Sequence, residues 1–493
     1  GRRKPPANLE QVDIIHDLPD ELKQDLGPEN LIPLPDVITF QYDYQAAVVR
    51  LLRHVQKKYV HRSPGDAAES GEPNAEPASE ESTPEEGLSR TIEPQAAATT
   101  AGGPVASTTT VPTEAIADGT NGAVDGGSPA IDRARPMIVI APKPWAMPSC
   151  EAAPGLLAYV WLSKYGDHLP LYRQEEICRR YGVNFSRSTT CGWMMELGEV
   201  LQPLWRRIVE EVLASRVIHT DDTRVQLQDP ATGHRSTARF WNYLGDEEHA
   251  LTVVEFTRTH ERVGPATFLA GYRGYLQADA YNGYDGLYLP SGGAIIEVGC
   301  WQHARKRYKE AAKSDVRALC ALAFIKSMYA VEERIRKLRR TEWSTLTLDE
   351  RAARIVEIRQ RETAPILKSF REWIDKTVGN TLPKSDLGEA FRYTLNQWEA
   401  LNQFTQCGLL AIDNNVSERA HRGIAIGRNN WKFVGSERGG RAAAIHFSLI
   451  ASCKRNAVEP HAYLVDILKR LPSTAESELA DLMPNRWKPR TST

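Results

Sequence analysis

Three features of this 493-residue sequence predict an α/β protein whose mixed sheet is interrupted by a large all-helical insertion. First, β-rich runs follow one another at hairpin and crossover spacing between about residues 216 and 300. Second, residues 303–402 are rich in Lys, Arg and Glu and poor in glycine, with no strand pattern to break them. Third, turn and helix signals resume beyond residue 403, where Glu418 stands in strongly basic surroundings.

Residues 1–62 read as a small N-terminal domain. Val37-Ile-Thr-Phe-Gln-Tyr42 alternates as a strand does, and Ala46–Tyr59 is basic and fits helix or strand equally. Residues 63–134 consist largely of Ala, Gly, Pro, Ser, Thr and Glu, with almost no large apolar side chain. Such a segment buries too little surface to offset its ordering entropy, so a disordered acidic linker is expected. Residues 135–213 resume order at Pro136-Met-Ile-Val-Ile140 and become mostly helical. Within them Leu171–Tyr181, a turn at Gly182-Val183 and Ser186–Trp193 have the rhythm of a helix-turn-helix. Ser186, Arg187 and Thr189 open the second helix, where hydroxyls and a guanidinium meet phosphates and base edges, so this is the expected DNA-binding region. A plain helical hairpin with Trp193 in its core fits the same residues.

Residues 214–302 turn to strands: Val217–Val225, Thr237–Leu244, Leu251–Phe256, then a short helix over Val263–Ala270, then Tyr275–Asp279 and Ile295–Cys300. One acid, Asp221, lies in the first strand and another, Asp279, closes the fourth. The order β-β-β-α-β-α-β with acids so placed is that of an RNase H-like core. Gln277 and the Asn282-Gly283 turn are expected at the sheet edge where ligand sites lie. The helical insertion, residues 303–402, has one clean start in the capping box Thr347-x-x-Glu350.

Residues 403–471 return to the core. Asp413–Arg422 reads as a turn and a helix capped by Asn415, which sets Glu418 at the third helical position; a basic helix and a Gly-bounded hairpin ending at Gly439-Gly440 follow. A capping box is the plain account of Glu418. A helix over Arg441–Arg455 and a tail, residues 472–493, with Leu482-Met-Pro and Trp487, close the chain.

Composition narrows the function. An apolar content of 41% and a charged content of 25% are those of an ordinary soluble protein. Seven cysteines without a CxxC pair argue for a reducing compartment and against a disulfide framework or Cys-rich zinc ribbon. Gly1-Arg-Arg-Lys-Pro-Pro6 is not followed by an apolar run, and the most apolar window, Ala442–Cys453, is too short for a bilayer and carries His446. A cytoplasmic protein with no membrane partner is expected. The net charge of −2 conceals an asymmetry: residues 63–134 hold thirteen Asp/Glu and two Arg, or −11, so the remainder carries −2 − (−11) = +9. From Arg419 to Arg470 ten Lys/Arg face three Asp/Glu. A carboxylate in such a setting suits a metal-binding acid that receives a polyanion.

Asp221, Asp279 and Glu418 together fit phosphodiester chemistry. Cleavage at neutral pH needs an activated nucleophile and charge neutralisation, which two divalent ions ~3.5–4 Å apart supply from hard carboxylate ligands. Two neighbouring strands and a facing helix are able to converge three acids on such a pair.

The sequence resembles the transposases of the IS66 family of bacterial insertion sequences, DDE-type enzymes with an RNase H-like core. The resemblance runs from about Met137 to Leu471. It is carried by Lys164-Tyr-Gly-Asp-His-Leu-Pro-Leu-Tyr-Arg-Gln174, His219-Thr-Asp221-Asp-Thr223, Gln277-Ala-Asp279-Ala-Tyr-Asn-Gly-Tyr284 and Cys300-Trp-Gln-His303-Ala-Arg305. Asp413-Asn-Asn-Val-Ser-Glu418-Arg-Ala420 and Arg428-Asn-Asn-Trp-Lys-Phe-Val-Gly435-Ser-Glu-Arg-Gly-Gly440 complete it. It implies that Asp221, Asp279 and Glu418 are the catalytic acids and hold Mg²⁺, with Mn²⁺ able to substitute. It implies double-stranded DNA as partner, both the element's terminal inverted repeats and the target, worked on at the bacterial nucleoid by a homodimer or larger assembly, with accessory proteins of the same element as further partners. Asp222 stands where relatives usually carry Glu, and strand alternation turns it away from Asp221. Relatives also carry an N-terminal zinc module with paired cysteines; residues 1–62 contain none, so zinc is not expected there. Cys300 and His303 resemble a C-x-x-H element of several DDE families; four zinc ligands are not evident, and a structural role docking the helical insertion is expected. Arg419, Arg422, Arg428 and Lys432 are the expected phosphate contacts, and Trp431 fits either base stacking or the core. Competing readings are a nuclease without strand transfer, an inactive DNA-binding descendant and a structural scaffold.

Overall fold

The computed structural model describes residues 58–61, 137–140, 146, 147, 150–229, 232–279, 283–288 and 291–489. The expected strand at Val37–Tyr42, the expected linker over residues 63–134 and Asn282 lie outside them. Two compact units separate. In the smaller, residues 54–143, β1 (Lys58–His61) pairs antiparallel with β2 (Met137–Ile140).

The larger unit is mixed α/β. Its sheet is built around β3 (Val217–Gln228), which returns through a turn with Gly233 at φ 69° into β4 (Arg235–Leu244), and β4 into β5 (Thr252–Thr257), all antiparallel. After the short helix α5 (Val263–Phe268), β6 (Gly274–Gln277) lies parallel to β3 on its other side, and after α6 (Asp285–Tyr288), β7 (Ile295–Val298) lies parallel to β6. Strand order is thus β5-β4-β3-β6-β7. The chain-adjacent strands take the hairpin connections and the parallel pairs take the helical crossovers, as chain geometry requires. A two-residue strand, β8 (Phe433–Val434), pairs with the far end of β3 at Gln226 and Leu227.

The edge of this sheet is closed by a helix. α15 (Glu437–Arg455) is buried along almost its whole length, and its hydroxyls at a four-residue spacing serve β5. Ser448 Oγ accepts the Val254 N–H at 2.7 Å and Ser452 Oγ accepts the Thr252 N–H at 3.0 Å. The edge groups that would otherwise template another strand are thereby satisfied. Against α15 also pack α1 (Pro154–Tyr165), α3 (Arg187–Val200) and α4 (Gln202–Leu213), while α2 (Leu171–Arg180) packs on α1 and α3. Gly198 permits the contact with α3, since a Cβ there would lie 2.7 Å from Ala442 Cβ. His446 sits fully buried between them, taking the Trp161 indole N–H on Nδ1 (3.1 Å) and giving Nε2–H to the Met194 carbonyl (2.8 Å). Burial pushes its pKa down to about 4, which keeps that neutral form in place.

Within residues 301–402 the chain is helical: α7 (Trp301–Ala311), α8 (Ala318–Arg340), α9 (Leu348–Ile358), α10 (Ala364–Val378), α11 (Asp386–Asn396) and α12 (Trp398–Asn402). They enclose an aromatic core of Trp301, Tyr308, Phe370 and Phe391, which Val217 and Val298 of the sheet join. The Thr347/Glu350 capping box forms, Thr347 N–H reaching Glu350 Oε2 at 2.9 Å. Between α9 and α10 a single π turn, Arg359–Thr363, precedes Pro365. Proline has no N–H and its ring crowds the carbonyl four residues back, so the wider turn relieves the helix there. Among the described residues no helix is long and apolar enough to cross a membrane.

The stretch after Arg428 departs from expectation. No Gly-bounded hairpin forms; α14 (Arg422–Trp431) leads through Lys432, at φ 66°, into β8, and α15 begins at Glu437 rather than Arg441. Gly439 and Gly440 lie inside α15, where a Cβ at Gly440 would fall 2.7 Å from the Phe256 ring.

Candidate functional site

The register of β3 places the first two acids. Val217, Ile218 and His219 pair with Tyr275, Leu276 and Gln277. Asp221 and Asp279 each stand two residues beyond the last pair of that ladder, His219 and Gln277. The strand β6 ends at Gln277, so Asp279 sits just beyond it rather than within it. Gln277 itself is fully buried and bonds the main chain of Ala411 through both ends of its amide, at 2.7 and 3.3 Å. It closes β6 at the carboxyl edge of the sheet, as expected, and there clamps the sheet to the 403–412 segment.

Glu418 reaches this place by a different route from the one expected. The helix α13 spans Asn415–Ala420, so Asn415 is its first residue, Glu418 is its fourth, and no capping box forms. Asn414, which precedes the helix, has its side chain engaged elsewhere: Nδ2 donates to Thr220 O (2.7 Å) and Oδ1 meets His219 Nδ1 (3.0 Å). One turn on, buried Ser417 donates Oγ–H to Asn242 Oδ1 (2.6 Å), while Asn242 Nδ2 donates to the Ser417 carbonyl (3.0 Å). Asn242 is the β4 partner of Asp221, and directly opposed residues share a face of the sheet. The face carrying Asp221 therefore grips the residue next to Glu418 in sequence.

The electrostatics report the convergence. Asp221 has its pKa pushed up to about 7, first by burial and then by the negative charges of Asp279, Asp222 and Glu418, against the Asp222 N–H that its Oδ1 accepts at 2.8 Å. His219 and His421 flank these acids, and burial pushes both down to about 4, so neither offers a compensating positive charge at neutral pH. Asp222 is held on the other side by Arg239 (2.6 Å) and His260 (3.1 Å).

Cys300 and His303, at the start of α7, also meet Glu418: the three ligand atoms lie within 4.8 Å of one another. Of the basic candidates, Arg419, Arg422 and Lys432 are exposed and make no ion pair among the described residues. Arg428 is half-buried and donates to Thr223 Oγ1 (2.7 Å) and the Arg224 carbonyl (2.6 Å), tying α14 to β3. Trp431 is half-buried against the main core, close over Gly427, where a Cβ would lie 2.8 Å from its indole nitrogen. In the helix-turn-helix-like pair, Ser186 caps α3 by accepting the Thr189 N–H (3.0 Å), Arg187 is exposed and Trp193 is buried.

Asn242 and Ser417 carried no signal in the sequence, because only the β3–β4 register reveals that they flank the acids. Asn242→Val is expected to destabilise the protein by about 1–3 kcal/mol, since it leaves the Ser417 hydroxyl buried without its acceptor and the Ser417 carbonyl with only the His421 N–H at 3.4 Å. It is also expected to speed hydrogen exchange over residues 415–420. Unchanged exchange there would show that the pair does not hold α13.

Comparison with known proteins identifies the family. A family model described as "Transposase IS66 family" matches residues 150–442, and one described as "IS66 C-terminal element" matches residues 448–485. The chain is similar to two proteins of Sinorhizobium fredii, both named as uncharacterized. It is 31% identical to y4hP over 365 residues, 70% of this chain and 64% of the relative, and 34% identical to y4qI over 348 residues, 68% and 62% respectively. The chain thus spans less than two thirds of the length of either relative.

Proposed function

The chain belongs to the IS66 family of transposases, and from that premise we propose that it cuts and joins DNA at the ends of an insertion sequence, with Asp221, Asp279 and Glu418 as its catalytic acids. The observation that carries this reading is the meeting of carboxylates at Asp221, whose proton affinity is raised first by burial and then by the charges of Asp279, Asp222 and Glu418. The strand order β5-β4-β3-β6-β7, with the first acid on the central strand, supports reading the sheet as RNase H-like.

The donor set fits a hard divalent ion. Carboxylate oxygens are the ligands Mg²⁺ and Mn²⁺ take, and a buried acid that already holds a proton near neutrality marks a place short of positive charge. Asp221 and Asp279 would share one ion and Glu418 would hold the second; bound there, the ions supply nucleophile activation and charge neutralisation on the phosphoryl group in flight. The protein's own part is positioning. Neutral His219 and His421 leave the negative field intact, and Arg239 keeps Asp222 from competing for a cation. Arg419, Arg422 and Lys432 line the exposed approach and pair with backbone phosphates, while the first turn of α3 grips the terminal repeats. In the first step water oxygen bonds to phosphorus and the 3′ oxygen leaves. In the second that freed 3′-OH attacks target DNA and another 3′ oxygen leaves. Both are oxygen-for-oxygen displacements, so one site serves both without a covalent enzyme intermediate. Two ends must be joined together, hence a dimer or larger assembly.

Asp279→Asn is expected to abolish Mg²⁺-dependent nicking of terminal-repeat DNA while leaving its affinity for that DNA unchanged. Undiminished nicking would remove the chemical basis of the reading. Pre-nicked ends test the second step: cleavage without joining would leave a nuclease.

A further inference from the structure

Beside the two aspartates lies a donor set of different chemistry. Cys300 precedes α7 and is fully buried, His303 follows three residues later, and Glu418 reaches over from α13. Their sulfur, nitrogen and oxygen atoms lie within 4.8 Å of one another, with His303 Nε2 3.9 Å from Glu418 Oε1. Cys300 Sγ accepts the Asn414 N–H at 3.2 Å, and His303 Nδ1 is shielded from solvent with no hydrogen-bond partner.

We propose that Cys300, His303 and Glu418 form a binding site for a borderline-soft divalent ion of the zinc class, and that this ion, once bound, withdraws Glu418 from Mg²⁺. The first half stands on the donor set alone; the second rests on the reading of Glu418 as a Mg²⁺ ligand.

A thiolate and an imidazole select zinc-class ions over Mg²⁺ or Ca²⁺, which prefer oxygen alone. Tetrahedral zinc, with bonds of ~2.0–2.3 Å, separates its ligand atoms by roughly 3.3–3.8 Å. A group already within 4.8 Å closes to that spacing by side-chain rotation. Three protein ligands leave the fourth position to water, as in zinc sites that remain open to solvent. The side chains of His303 and Glu418 are 34% and 40% exposed, so an ion enters past them to the sulfur at the floor. The Asn414 amide supplies the outer hydrogen bond that orients and stabilises a metal-bound sulfur. Asn414 also braces β3 through Thr220 and His219, so the strand of the aspartates and the thiol share one support. Glu418 is thereby placed between two cation environments, one of oxygen donors and one with sulfur and nitrogen.

Cobalt(II) is the probe. Titrated into the metal-free chain, it is expected to give a thiolate-to-cobalt charge-transfer band with tetrahedral visible absorption, saturating at one equivalent and displaced by Zn²⁺. Cys300→Ser should lose the band, and His303→Gln, at a partly exposed position, should weaken cobalt binding on the order of ten-fold or more. Asp221→Asn should retain it. No thiolate band in the wild type, or a band that survives both Cys300→Ser and His303→Gln, overturns the site. One equivalent of Zn²⁺ is expected to suppress Mg²⁺-supported nicking on the order of ten-fold or more. Nicking indifferent to bound zinc overturns the withdrawal of Glu418. Absence of nicking without zinc overturns the catalytic reading and leaves the cobalt result standing.

Discussion

Asp221→Asn is expected to abolish DNA cleavage and, at the same time, to stabilise the metal-free protein above neutral pH. The catalytic loss follows from removing a charged ligand at a metal pair, where several kcal/mol of transition-state stabilisation are at issue, on the order of 10³-fold in rate or more. The stabilisation follows from linkage. The folded protein holds the Asp221 proton up to about pH 7, whereas the ordinary carboxyl value is 3.8. Below the lower value both states are protonated and Asp221 costs nothing. Between the two the unfolded chain ionises first, so stability falls as pH rises, and above the upper value the full penalty applies. About three units at ~1.4 kcal/mol each put that penalty at roughly 4 kcal/mol. Asparagine keeps an oxygen for the Asp222 N–H and carries no charge, so it removes the penalty. The variant should melt several degrees higher than wild type at pH 8 and together with it at pH 4, and Mg²⁺ should raise the melting temperature of the wild type but not of the variant. Equal melting at pH 8 would mean that neither burial nor the neighbouring acids hold the Asp221 carboxyl above its ordinary value.

How much of this was legible beforehand depended on whether a residue's role is local. The strands around Asp221 and Asp279 announce themselves by alternation and length, and the capping box at Thr347 is a four-residue pattern; the first strand and the box form where expected, while β6 stops at Gln277, two residues short of Asp279. The cap of α13 was misread because Asn414 and Asn415 are equivalent in sequence. Only the fold shows that Asn414 is committed to Thr220 and His219, which leaves it no side chain with which to cap. The glycines 439 and 440 suggested a turn, yet Gly440 is small because the Phe256 ring lies against it, a contact nearly two hundred residues away in the chain. Glu418 as partner of Cys300 and His303 was hidden for the same reason: its position depends on how the whole helical insertion closes back on the sheet.

That closure rests on Arg359, and its removal should give a large stability loss. Arg359 is 2% exposed and lies in the π turn ahead of Pro365. It pairs in bidentate fashion with Glu332 of α8, Nε and Nη2 each at 2.8 Å, and donates to the carbonyls of Phe404 (2.6 Å), Cys407 (3.2 Å) and Leu410 (3.0 Å). One side chain thus fastens the insertion to the segment that runs into Asp413 and α13. Arg359→Met leaves the Glu332 charge half-buried, takes a donor from the Phe404 and Leu410 carbonyls and leaves the Cys407 carbonyl with only the Leu410 N–H at 3.3 Å, so a cost of about 3–5 kcal/mol is expected. Because the released segment carries Gln277's contact at Ala411 and then Glu418, nicking should fall as well. The double variant Arg359→Met, Glu332→Met removes the stranded carboxylate and should recover part of the stability, as replacement of buried ion pairs by apolar groups often does. It still lacks the Arg359 donor to the carbonyls at 404, 407 and 410, so nicking should stay low. A single variant that loses less than about 1 kcal/mol in denaturant titration, or a double variant no more stable than the single, would show that Glu332 and Arg359 are not the latch between insertion and site.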